Sequence, residues 1–252
     1  MRSFSLRYLV CCALPLLWTH TSFATEVSVA VAANFSAPMK IIAQDFERAT
    51  GHRAVLSFGS TGQFYAQIKN GAPYALLLAA DAHTPAKIEK EGLGVTGTTF
   101  TYAIGQLVLW SKTSGRVDDR GEILKSGNFS KLAIANPKLA PYGAAAIEVL
   151  NHLGVMSQVK PKIVEGANIA QTYQFVFSEN ADLGFVALSQ VYENGKLKQG
   201  SGWIVPTSLH SPIKQDAIML NPGRDSPAAI ALLTYLRSDA AKAVIRKFGY
   251  EF

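Results

Sequence analysis

The chain has 252 residues, of which 48% are apolar and 17% charged, and a formal net charge of +6. That balance excludes a disordered polyelectrolyte and leaves enough apolar residues for one large core or two lobes. The basic residues are scattered, with no dense run and no interleaved aromatic stripe, so the composition gives no sign of a nucleic-acid partner.

The first element expected is an export signal. Arg2 and Arg7 precede a short apolar run at 8–18, and Ser22-Phe23-Ala24 carries small residues where a signal peptidase reads, which places cleavage after Ala24. The run is too short to span a bilayer. Cys11 and Cys12 both lie inside it, so processing leaves 228 residues with a net charge of +4 and no cysteine. Disulfides, thiolate metal sites and cysteine nucleophiles are then excluded together, and the exported, soluble chain depends on its core alone.

A strand is expected at 27–33, with Asn34 as the N-cap of a helix over 36–50. Met39, Ile42, Ala43, Phe46 and Ala49 fall at helical spacing there, and Gly51 ends the helix. Strand 52–58 leads into helix 62–70, stopped by Gly71. Strand 74–80 leads through Asp81, read as a cap, into helix 85–91. One long apolar strand is expected over 102–110, followed by a polar stretch to 121. A second series follows: strand 132–135, a helix over 144–153 opened by Pro141-Tyr142-Gly143, strand 163–165, and a helix opened by Ala167-Asn168-Ile169. Strands at 183–187 and 216–220 precede terminal helices within 225–249, with Pro227 in a first turn. Such alternation predicts an α/β protein of two lobes, each a mostly parallel sheet flanked by helices, joined by a two-crossing hinge near 104–106 and 212–215. Residues 25–104 with 214–252 would form lobe 1, and residues 105–213 lobe 2.

The chemistry is defined first by what is missing. The segment 55–63 runs from an apolar strand into Gly59-Ser60-Thr61-Gly62, but Gln63 stands where a nucleotide-binding loop needs lysine. There is no nucleophile elbow and no His-Glu-x-x-His, and His52, His83, His152 and His210 are too dispersed to suggest a metal site. What recurs is uncharged polar residues at strand-to-helix turns: Ala33-Asn34, Ser60-Thr61, Tyr142 and Asn168-Ile169, two turns in each expected lobe. A helix N-terminus offers unpaired N–H groups and the positive end of its dipole, so these turns suit a small anion held without cationic side chains. Gly59 and Gly62 would let backbone approach the ligand. The plainer reading of Ser60-Thr61 is an ordinary helix cap, and an enzymatic alternative makes either hydroxyl a nucleophile with a distant histidine as base.

The chain resembles the periplasmic molybdate-binding proteins of ABC importers. The resemblance covers 26–251 and rests on Ala32-Ala33-Asn34-Phe35, 46–51, 57–63, Gln67-Ile68-Lys69-Asn70-Gly71-Ala72-Pro73, Ala80-Asp81, Ala135-Asn136-Pro137 through Pro141-Tyr142-Gly143, and Asp182-Leu183-Gly184-Phe185-Val186. It implies a type II periplasmic binding protein that captures molybdate or tungstate between its lobes, without cofactor or catalysis, and delivers it as a monomer to an inner-membrane permease. Carried over residue by residue, it implies anion contacts from the Asn34 amide, the Thr61 hydroxyl, the Tyr142 backbone and phenol, and the Ile169 backbone. Ser60 and Ala33 are second-tier positions. Ala187 stands where some members carry a tyrosine. Sulfate or another oxyanion is the alternative ligand.

Overall fold

The computed structural model describes residues 25–252; the expected export signal and both cysteines lie outside the described residues. The first strand–helix series builds one sheet. Strand β1 (Glu26–Ala32) leads through a 3-10 turn (Ala33–Phe35) to helix α1 (Ser36–Thr50), closed by Gly51 in the left-handed region. Strand β2 (Arg53–Gly59), helix α2 (Thr61–Lys69), strand β3 (Leu76–Leu78) and helix α3 (His83–Lys90) follow. Asn34 therefore does not cap α1; it sits inside the 3-10 turn, and its side chain is used elsewhere.

The long strand expected over 102–110 is two strands. β4 (Phe100–Gly105) belongs to the first sheet and β5 (Leu107–Ser111) to a second, and the chain crosses between them at Gln106. The second sheet is then built from α4 (Ile123–Ser126), β6 (Leu132–Ala135), α5 (Pro141–His152), α6 (Met156–Val159), β7 (Ile163–Gly166), α7 (Ile169–Phe177), β8 (Leu183–Ala187) and α8 (Leu188–Val191). A small hairpin, β9 (Tyr192–Glu193) and β10 (Lys196–Leu197), precedes β11 (Ser201–Ile204), which edges the second sheet. The chain then returns to the first sheet as β12 (Ile213–Met219) and ends in α9 (Pro227–Tyr235) and α10 (Asp239–Lys247).

The first sheet has the order β2-β1-β3-β12-β4 and the second β11-β5-β8-β6-β7. Both are mixed. β1 runs parallel to β2 and β3, and β6 parallel to β7 and β8, as strand–helix–strand units require. The strands at the crossings are antiparallel: β12 to β3 and β4, and β5 to β8 and β11.

Each sheet carries helices on both faces, and alternation assigns the side chains of its inner strands. In β1, Val27, Val29 and Val31 join the core under α1, α9 and α10, while Ala30 joins Phe64 and Ile88 under α2 and α3. In β5, Leu107 and Leu109 face the core under α5, while Val108 and Trp110 face the one beneath α7. Full burial of such side chains contributes about 1.5–3 kcal/mol apiece to these four cores, in which no described residue is a cysteine. Among the described residues, no helix is long and apolar enough to cross a membrane.

Candidate anion-binding site

The four turns singled out in the sequence converge. Residues 32–34, 59–61, 80, 140–142 and 169 line one small cavity between the two sheets. Ala33, Asn34, Ser60 and Thr61 come from the strand ends of the first sheet, and Tyr142 and Ile169 from the helix starts of the second. None of the lining residues is Asp, Glu, Lys, Arg or His. A wider groove beside it shares Ala80, Ala140 and Pro141 and carries ionisable side chains: Asp81, His83, Lys138, Glu148 and Lys214. Burial pushes the Asp81 carboxyl above its ordinary value, against hydrogen bonds from the Thr84 N–H and hydroxyl.

At the first turn the Asn34 amide is engaged within the protein. Both hydrogens of the Asn34 amide are committed, to Gln215 Oε1 at 2.8 Å and to Tyr250 Oη at 3.0 Å. What Asn34 retains for an anion is its backbone N–H, which with that of Ala33 opens the 3-10 turn where the helix supplies no acceptor.

At the second turn the two hydroxyls have different surroundings. Ser60 stands at the N-cap of α2, yet its side chain does not cap. Gln63 Oε1 accepts the Ser60 N–H at 3.3 Å, while Ser60 Oγ is buried without a hydrogen-bond partner. An orphaned hydroxyl inside a neutral cavity is a donor awaiting an acceptor. Thr61 Oγ1 accepts the Ala80 N–H at 2.9 Å and keeps its own hydrogen to donate. Gly59 lines the cavity, whereas Gly62 faces elsewhere. Gly62 donates to the Leu139 carbonyl at 2.9 Å, and a Cβ there would lie 3.1 Å from Leu139 backbone, so its close approach is to the other lobe.

At the third turn Pro141 is the first residue of α5 and Tyr142 the second, so the Tyr142 N–H has no intrahelical acceptor. Gly143 lets the helix start press on β6; a Cβ there would overlap the Ala135 carbonyl. The Tyr142 phenol accepts from Gln215 Nε2 at 3.0 Å, which turns it toward the first lobe's interior. At the fourth turn Asn168 caps α7, its Oδ1 accepting the Ala170 and Gln171 N–H groups at 3.0 Å each. The Ile169 N–H, at the first position of α7, is left over. Gln190 steadies it from the turn after β8, donating to the Ile169 carbonyl at 3.0 Å and accepting the Ala187 N–H at 3.0 Å. This amide occupies the neighbourhood where the resemblance pointed to a missing tyrosine at Ala187.

Burial raises the phenols of Tyr102 and Tyr142 well above the ordinary tyrosine value and lifts that of Tyr250 to about 12, so all three are neutral hydrogen-bonding groups at neutral pH. Gln215, Tyr102, Tyr250, Ser189 and Gln190 were not singled out in the sequence. Among the described residues no group of three His, Cys, Asp or Glu side chains is placed to hold a metal ion.

Comparison with known proteins places the chain in a family. Residues 27–251 match the family described as bacterial extracellular solute-binding protein. A molybdate-binding protein (ModA) of Azotobacter vinelandii is 58% identical over 248 residues, spanning 98% of each chain. One from Rhodobacter capsulatus is 51% identical over 227 residues, 90% of this chain and 88% of its own. The solved structure of an Azotobacter vinelandii periplasmic molybdate-binding protein superposes with a TM-score of 0.87 at 38% identity, over 90% of this chain and 99% of that one. These relatives are solute-binding proteins, and their two-lobed fold is the one described above. The chain belongs to the bacterial extracellular solute-binding protein family, and within it to the molybdate-binding proteins.

Proposed function

We propose that this protein is the periplasmic receptor of an ABC importer and that it captures molybdate, and tungstate with it, in the cavity between its lobes. The observation that carries the reading is the pairing of a charge-free lining with the buried, unpartnered Ser60 hydroxyl. A fully ionised tetrahedral dianion needs donors only. Here they are the Ser60 and Thr61 hydroxyls and the N–H groups at 33, 34, 142 and 169. Each hydrogen bond to a charged ligand contributes about 1.5–3 kcal/mol, so several outweigh an association cost of roughly 4–15 kcal/mol. A carboxylate in the lining would instead favour a protonated oxyanion, and the lining has none.

In this reading residues 25–104 with 214–252 move as one lobe and 105–213 as the other. The anion favours the closed arrangement because only that arrangement completes its contacts. The loaded monomer then docks on an inner-membrane permease, and no bond of the ligand is made or broken. Isothermal calorimetry of the processed protein with molybdate, tungstate and sulfate tests the assignment. Molybdate and tungstate are expected to bind, and sulfate far more weakly. Equal affinity for sulfate would transfer the assignment to a general oxyanion receptor, and no heat with any of the three would end it.

A further inference from the structure

Six buried polar side chains form a network behind the anion cavity, and one of them bonds to three of the others. Gln215, on β12, is 0% exposed. Its Oε1 accepts from Asn34 Nδ2 at 2.8 Å and lies 3.0 Å from the Tyr102 hydroxyl, whose one hydrogen it shares with the Ala79 carbonyl at 2.9 Å. Its Nε2 donates to Tyr142 Oη at 3.0 Å. Tyr250 Oη accepts from Asn34 Nδ2 at 3.0 Å and donates to the Asn34 carbonyl at 2.9 Å. Ser189 Oγ donates to that same carbonyl at 2.8 Å. Phe35, itself fully buried, packs edge-on against Tyr102 and Tyr250, with ring centres 4.7 and 5.4 Å away.

The network crosses between the sheets. Asn34, Tyr102, Gln215 and Tyr250 pack with the first sheet, whereas Tyr142 begins α5 and Ser189 lies on α8, both against the second. The two ends of the Gln215 carboxamide are not equivalent. Its oxygen serves Asn34 and Tyr102 while its nitrogen serves Tyr142, so one orientation satisfies all three partners. A buried amide or phenol stripped of its partner is costly, so Gln215 and Tyr142 favour staying together. Asn34 and Tyr142, its partners on opposite sides, both line the anion cavity.

We infer that Gln215 is a positioning residue of the anion site: its carboxamide fixes Asn34 and latches Tyr142 from the other lobe, so that the backbone donors at 34 and 142 face one anion only while the latch is closed. The inference rests on the anion-binding reading above. In it, the Tyr142 phenol is part of the latch and not a ligand to the anion.

The test is a double-mutant cycle with Tyr142→Phe, which removes one oxygen and keeps the ring, and Gln215→Met, which keeps the length and removes the hydrogen bonds. Affinity is read by calorimetry with molybdate, and dissociation by chasing radiolabelled molybdate with unlabelled molybdate. A latch acts after encounter, so each single variant is expected to dissociate ~tenfold faster, the scale of one such hydrogen bond, while association changes much less. Both changes break the same bond, so the double variant is expected to dissociate no faster than the faster single variant. A merely structural role predicts instead a lower melting temperature of the anion-free protein with unchanged dissociation. Unchanged dissociation in both singles, or independent multiplication of their effects, would overturn the latch while wild-type binding leaves the anion reading intact. A wild type that binds no molybdate would overturn both.

Discussion

Ser60 and Thr61 carry the same functional group one residue apart, and their surroundings make them different donors. Thr61 Oγ1 is already an acceptor for the Ala80 N–H, so it is part of the structure whether or not an anion is present. Ser60 Oγ has no such duty. Removing each hydroxyl therefore has separable consequences. Ser60→Ala is expected to weaken molybdate binding by about 1.5–3 kcal/mol while leaving the anion-free melting temperature unchanged or slightly higher, since it deletes a buried group with nothing to bond. Thr61→Ala is expected to weaken binding on the same scale and also to lower that melting temperature, because the Ala80 N–H loses its acceptor. Calorimetry and thermal melting of the two variants check both statements. A Ser60→Ala protein that binds as wild type would take Ser60 out of the site.

Helix starts are the elements that build this cavity, and their quality depends on caps that never touch the ligand. Asn168 is the clearest case: it consumes the second and third N–H groups of α7 and leaves the first, at Ile169, free. Asn168→Ala is expected to cost about 0.5–2 kcal/mol of stability, seen as a lower melting temperature, and to weaken molybdate binding because the frayed turn no longer holds the Ile169 N–H in place. Destabilisation with unchanged affinity would exclude Ile169 as a contact. Elements of this kind were legible in the chain, since hydrophobic periodicity, Gly51, Pro141 and Asn168 mark starts and stops locally. A chain crossing near 104–106 was expected, but not that the apolar run breaks there into two strands. β4 and β5 are apolar on both sides of it, and nothing in a buried strand reports which sheet it joins. The edge strand β11, which pairs antiparallel with β5, lacks an apolar run long enough to stand out. Gln215 was equally silent: its partners Tyr142 and Asn34 lie 73 and 181 residues away, so its role exists only in the folded chain. The residue types at the four turns identified the cavity, but the division of labour within them, Ser60 free and the Asn34 amide engaged, depends on contacts the linear order does not encode.

Across the whole molecule, the two halves meet where the chain passes between sheets, and the packing there is tight enough to be disrupted by one methyl group. Gly105 ends β4 at the first crossing, beside β12 and the backbone bridge from Ile104 to Glu251. A Cβ at 105 would overlap the Tyr142 hydroxyl and Gln215 Nε2, the two groups that bond across the lobes. The backbone at 105 is not in the left-handed region, so alanine is accommodated locally and the conflict lies in the contact between lobes. Gly105→Ala is therefore expected to leave the anion-free protein folded and to disfavour the closed arrangement. Since an anion shifts that equilibrium only by its differential affinity for the two states, closure that has become costlier appears directly as weaker binding, ~tenfold or more for one displaced hydrogen-bonded pair. Small-angle X-ray scattering with and without saturating molybdate is the direct measurement. The wild type is expected to contract on adding the anion, and the variant to contract less or to need much more of it. Equal contraction at equal anion concentration would show that the lobes close without the Gln215–Tyr142 contact, and that closure is carried by bonds such as Gly62 N–H to the Leu139 carbonyl instead.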